Sequence, residues 1–283
     1  MMSALAEHYA SCADMLRKED PDRFFACLFA PEAKRPHLHA LYAFSLELAR
    51  IREIISEPMT GEIRMQWWRD ALSGEARGDV SAHPVAAALL DTIGTFGLPA
   101  QALRELIESR SFDLYDDPMP SRVDLEGYCG ETSSSLLRLA SIVLADGRDP
   151  GGADAAGHGG VAYALTGLLR ALPWHAARGQ LYLPGDILAR HGVTREDILS
   201  GKMSQGLIDA LAEVRALARH HCAAALAASS QMEPAARSAL MPLAVVPLYL
   251  ARMEKPSYEP FRTLVTAPLW RRIYAFWALG RRL

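Results

Sequence analysis

The apolar residues of this chain recur at three- and four-residue steps along most of its length, a period that belongs to helices buried on one face and not to strands. Asp20-Pro21 places a capping residue before a first-turn proline. Behind it Phe24, Leu28, Leu38, Leu41, Tyr42, Leu46 and Leu48 keep the spacing, with Pro31 and Pro36 dividing the stretch. The same pattern predicts helices over 58–76, 84–95, 99–115, 122–145, 158–172, 204–228, 233–252 and 257–280. Thr194, followed three residues later by Asp197, reads as a capping-box start for a short helix through Leu199. No strand pattern of comparable length and no fixed-period repeat is visible, so the expected fold is all-α, a single helical domain over 1–283. The clearest irregular stretch, 146–160, is rich in glycine but has no phosphate-binding spacing, and is expected to be a flexible connector.

Charge and cysteine usage remove several classes of function. A net charge of −3 over 283 residues offers no basic footprint for nucleic acid. Cys12, Cys27, Cys129 and Cys222 form no C-x-x-C pair, which suits buried thiols in a reducing compartment rather than a disulfide or zinc framework. The longest apolar run, Met241 to Leu250, holds Pro242 and Pro247 and falls short of the roughly twenty residues a membrane span needs. Glu7, Asp14, Glu19 and Asp20 near the start fit neither a signal peptide nor an acid-poor transit peptide. The expected location is cytoplasmic, with peripheral contact at the inner membrane.

Residues 167–184 read Gly-Leu-Leu-Arg-Ala-Leu-Pro-Trp-His-Ala-Ala-Arg-Gly-Gln-Leu-Tyr-Leu-Pro. This frame resembles the second aspartate-rich segment of the squalene and phytoene synthases, with Arg170, Arg178, Gly179, Tyr182, Leu183 and Pro184 matching. The resemblance extends from about Asp22 to about Arg252. It includes Leu41-Tyr42-Ala43-Phe44, Trp68-Arg69 with Leu72, His83-Pro84-Val85 and Tyr128-Cys129, in the family's order. It implies an isoprenoid-synthase-type helical fold with a central cavity, in which carboxylates at i and i+4 on facing helices hold magnesium against a diphosphate.

The acids that chemistry requires are largely gone. In the first motif, Ala49-Arg50-Ile51-Arg52-Glu53, only Glu53 is left; in the second, Ala171 and His175 stand at the aspartate positions and Trp174 where an acid is usual. No metal ligand set, no catalytic residue and no cofactor is therefore expected, magnesium belonging only to the alternative of an active prenyltransferase joining two isoprenyl diphosphates. Arg50, Arg52, Glu53, Trp68, Arg170, Trp174, His175, Arg178 and Tyr182 are the candidates for holding a ligand, the guanidinium groups because they suit phosphate oxygens. Trp174 is expected to fill space once kept for a hydrated ion.

Other acid and histidine groupings give less. Glu53 and Glu57 are four apart, but Glu57 precedes Pro58, a position biased away from helix. Asp113 and Asp117 form a D-x-x-x-D that reads as a solvated helix end, and His220-His221-Cys222 point in different directions on one helix. Trp67 and Trp68 suit either a lipid cavity or the core, and His175 alone has no visible acid–base partner. The terminal segment 269–283 carries Arg271, Arg272, Arg281 and Arg282 with no acid, beside Trp270, Ile273, Tyr274, Phe276 and Trp277. That composition fits an interfacial or partner-binding helix as well as one docked on the core.

Within the family, Glu47-Leu48-Ala49, Arg64-Met65-Gln66-Trp67-Trp68 and Pro173-Trp174-His175 resemble the phytoene-synthase-like assembly factors of respiratory complex I. That resemblance implies respiratory complex I subunits or assembly intermediates as partners and a role at a membrane surface with no catalytic residue to carry over; the other non-catalytic reading is a protein that binds an isoprenoid or other lipid in the cavity.

Overall fold

The computed structural model describes residues 4–283. Helix α1 (Ala4–Glu19), which the periodicity did not single out, buries Cys12 and Leu16 against the helices that follow. Helix α2 (Pro21–Cys27) starts as expected: the Asp20 carboxylate accepts the Arg23 amide at 3.2 Å and Pro21 occupies the first turn. Helix α3 (Arg35–Ile54) buries Leu38, Leu41, Phe44, Leu48 and Ile51 in one stripe and packs with α1 and with α5 (Pro84–Phe96). Between them α4 (Pro58–Ser73) begins after Glu57, whose extended backbone breaks the helix face shared with Glu53. Helix α6 (Ala100–Arg110) passes into a 3₁₀ turn over Ser111–Leu114.

One helix was expected over 122–145, but the structure has α7 (Arg122–Cys129) and α8 (Ser135–Leu144) joined by a π turn over Gly130–Ser134. The reason lies in α9 (Ala153–Arg170), which crosses at this point: a Cβ on Gly160 would lie 2.2 Å from the Ser134 Cα. The glycines expected to loosen a connector over 146–160 are thus partly helical, and Gly159 and Gly160 serve close packing. Only the stretch before Ala153 is irregular, and Arg138 holds it by pairing with Asp149 and donating to the Gly151 carbonyl at 2.6 Å.

Short helices α10 (Leu172–Ala177), α11 (Gly185–Arg190) and α12 (Arg195–Leu199) follow, the last opened by the Thr194/Asp197 capping box. Helix α13 (Gln205–Ala228) lies along α9. Residues Pro234–Val245 wind as a 3₁₀ helix with Pro242 inside, where the missing amide and the ring disfavour an α-turn, and run on into α14 (Val246–Met253). The ten-residue run judged too short for a membrane span therefore sits in a 20-residue helical stretch that is long and apolar enough, but most of it is buried within the fold. The last helix, α15 (Leu269–Gly280), starts later than expected, because Pro260 and Pro268 interrupt the chain before it. Among the described residues there is no strand, only an isolated bridge between Gly151 and Met232.

Candidate functional site

The cavity at the centre of the helices has a volume of about 430 Å³. Helix α3 supplies Ala49, Arg52 and Glu53, and the segment from the end of α9 through α10 supplies Ala171, Trp174, His175 and Arg178, so the two altered motifs face one another. Arg110, Asp113, Tyr128, Gln180 and Tyr182 complete the polar wall. A chamber of about 210 Å³, lined in part by Arg23 and Tyr163, shares Arg110, Tyr128, Ala171 and His175 with it.

The charges of this cavity are satisfied from within the protein. Asp113, read from sequence as half of a solvated pair, is only 4% exposed. Its carboxylate accepts Arg110 Nη1 at 2.9 Å, the Tyr128 hydroxyl at 2.7 Å and the Tyr182 hydroxyl at 2.6 Å. Arg110 also donates to the Tyr128 hydroxyl at 2.8 Å, and Gln180 Nε2 to the Asp113 carbonyl at 2.9 Å. Burial works against the Arg110 charge, yet Tyr128 and Asp113 outweigh it and hold the guanidinium above its ordinary range. Burial, with Asp113 adding to it and Arg110 opposing it, raises both tyrosines well above theirs, so they stay hydroxyl donors. At the mouth Arg178 Nη1 lies 3.3 Å from Glu53 Oε1, and Arg52 pairs with Asp116 at 3.3 Å.

His175 lies against Tyr182, ring centroids 4.6 Å apart. Burial pushes its pKa down to about 4, a shift Asp113 opposes and Arg178 and Arg110 reinforce, so the ring is neutral near pH 7. Trp174 does not fill the cavity as expected: it stands at the rim, 58% exposed.

Three candidates lie elsewhere. Arg170 pairs with Asp22 at 3.6 Å, donates from Nε to the Val265 carbonyl at 3.1 Å and sits 3.8 Å from the Tyr249 ring centre. It ties the C-terminal part of the chain to α2. Arg50 and Trp68 face a second cavity across α3. The helical period alone could have separated them, since 49, 52 and 53 lie about half a turn from 47, 50, 51 and 54.

Two buried networks escaped the sequence reading. Asp22, 4% exposed, accepts the Tyr249 hydroxyl at 2.6 Å and Arg272 Nη1 at 2.9 Å. His221, read from sequence only as pointing away from His220 and Cys222, contacts Glu126 from Nε2 at 3.1 Å and His158 Nδ1 from Nδ1 at 2.8 Å. Neither was legible, because their members are far apart in sequence. On α15, Phe276 and Leu279 are buried while Leu269, Trp270, Ile273, Tyr274 and Trp277 are exposed, so the helix is docked by one side and apolar on the other. Of its arginines, Arg272 is engaged by Asp22 and does not belong to the outer face.

A cavity closed by helices that carry two facing motif segments defines the isoprenoid-synthase class of fold. The squalene/phytoene synthase family model matches residues 16–272, and the chain belongs to that family. It is similar to the complex I assembly factor 6 of Rattus norvegicus, 30% identical over 281 residues, covering 95% of this chain and 84% of that protein. A 15-cis-phytoene synthase of Synechocystis is 28% identical over 213 residues, 70% of this chain and 62% of the relative. Among solved structures, a dehydrosqualene synthase superposes with a TM-score of 0.80 at 19% identity, over 98% of this chain and 96% of that one. A squalene synthase from Alicyclobacillus acidocaldarius gives 0.75 at 23% identity, over 91% of this chain and 97% of that one.

Proposed function

We propose that this protein is a non-catalytic assembly factor for respiratory complex I, built on a squalene/phytoene synthase fold whose cavity has left magnesium chemistry. The observation that carries the reading is the internal pairing of the cavity's carboxylates: Glu53 with Arg178, and Asp113 with Arg110, Tyr128 and Tyr182. Magnesium bridging a diphosphate needs carboxylate oxygens open to it. Ala49, Ala171 and His175 offer none, and the residues present do not fit such an ion. Similarity to the rat assembly factor along nearly the whole chain supports the partner half of the reading.

A peripheral membrane contact belongs to the same reading. The outer face of α15 is apolar and aromatic, with Arg271 and Arg281 over the rings of Trp270 and Trp277. Basic residues bordering an apolar helix face suit an anionic leaflet, each contributing on the order of 1 kcal/mol.

The test is deletion of the protein, followed by native-gel assembly and NADH:ubiquinone activity of complex I, with rescue by the parent and by Glu53→Gln. Loss on deletion and full rescue by both is expected. Undiminished assembly on deletion removes the partner half. Magnesium-dependent release of pyrophosphate from farnesyl or geranylgeranyl diphosphate, abolished by Glu53→Gln, makes the protein an active prenyltransferase instead.

A further inference from the structure

Helix α3 has a cavity on each side. The one across from the motif residues is also about 430 Å³, and lies between α1, α3, α4 and the turn that carries His83. Ile51 and Trp68, both nearly fully buried, contribute apolar surface, with Met15 and Trp67 half-buried beside them. Ile63 and Met59, 66% and 74% exposed, continue the Trp67 face of α4 outward by one and two turns. The exposed Arg64 lines the cavity too and makes no hydrogen bond or ion pair among the described residues. Arg50, in contrast, is held by Glu19 and Glu53.

The geometry points to a second binding site here, for a small amphipathic anion: one anionic head at Arg64 and one apolar body along Trp67, Trp68 and Ile51. A guanidinium with no hydrogen bond or salt bridge of its own among the described residues, near only the Glu47 carboxylate and beside an apolar recess of this size, recognises that combination of groups. The site is separate from the central cavity and does not depend on the assembly role.

Glu47 tunes it. Its carboxylate faces His83, with Oε2 3.5 Å from Nε2. His83 Nδ1 accepts the Ala86 amide, which leaves the Nε2 proton directed at Glu47. Burial pushes Glu47 up to about 7, against Arg50 and Arg64, which lower it, and with Glu19, which raises it. Of the other groups facing it, burial keeps the Cys12 thiol uncharged, up at about 12, and lowers the His83 pKa. An anion at Arg64 is repelled by ionised Glu47 and not by the neutral acid, so binding takes up a proton and strengthens as pH falls through about 7.

The probes are decyl phosphate and decanoate, titrated calorimetrically into the full chain below their micelle concentrations, which separates a phosphate head from a carboxylate. One site per chain is expected. Arg64→Glu weakens it at least tenfold and Arg64→Ala in smaller measure. Arg178→Glu in the central cavity and Trp270→Glu on α15 leave it unchanged. Between pH 8 and 6, where decanoate keeps a constant charge, the parent gains affinity for it, whereas Glu47→Gln binds it more tightly than the parent at pH 8 and shows little pH dependence. Binding that survives Arg64→Glu, disappears in Arg178→Glu or Trp270→Glu, or is absent for both probes overturns the proposal.

Discussion

Arg178, just beyond α10, reaches Glu53 at the end of α3, Nη1 to Oε1 3.3 Å, and so joins the two altered motif segments directly. In the family's chemistry both segments carry carboxylates that repel one another until cations come between them. Here opposite charges meet. Both side chains are more than two-fifths exposed, so the pair itself is worth little, within about 1 kcal/mol. Glu53→Gln is accordingly expected to leave the urea-unfolding free energy within that margin.

Asp113 behaves differently because it is buried. Asp113→Asn leaves Arg110 with an uncompensated charge and weakens the acceptor for two tyrosine hydroxyls. Removing one partner of a buried pair typically costs about 3–5 kcal/mol, and a loss near the lower end is expected by denaturant titration. A change under 1 kcal/mol means that water reaches the network and screens it.

Below neutral pH, His175 destabilises the native state. In the unfolded chain its pKa is near 6.5, while in the fold burial lowers it to about 4. Between those values only the unfolded state takes up the proton, so stability falls as pH drops from about 6.5 and levels off below about 4. The full shift corresponds to at most about 3 kcal/mol, and His39, also lowered to about 4 by burial, adds a slope of the same sign. His175→Gln should flatten this part of the stability–pH curve; an unchanged slope would assign it to His39 or other groups.

Gly160 tests the crossing of α9 over the π turn. A methyl group there meets Ser134 backbone at 2.2 Å, so Gly160→Ala is expected to lower stability by about 1–3 kcal/mol or more, although alanine favours helix. A raised melting temperature would contradict that geometry.

The outer face of α15 is testable without removing the helix. Trp270 and Trp277 are 67% and 49% exposed, so Trp270→Glu with Trp277→Glu should retain the parent circular dichroism and melting temperature. Sedimentation with vesicles rich in anionic lipid should fall at least tenfold. Equal sedimentation of parent and variant would place the membrane contact elsewhere.

What the sequence made legible follows the distance over which each signal acts. The Asp20 and Thr194 caps involve neighbours three residues away, and both are present. That 49, 171 and 175 would line one cavity could be expected from the motif frame around them, and the structure places all three there. The π turn at Gly130–Ser134 was invisible because its crowding partner, Gly160, comes from another helix. Asp113 looked like half of an exposed acid pair for the same reason, Tyr128 and Tyr182 being 15 and 69 residues away.

The clasp at Asp22 bears on the order in which the molecule folds. Its carboxylate awaits Tyr249 and Arg272, 227 and 250 residues further along the chain. Contacts of such separation are entropically slow to close. Until α14 and α15 pack, Asp22 lacks both of these partners. Closure of the clasp is therefore expected late in folding, and it fastens α15 to α2 only once the helices between them are in place.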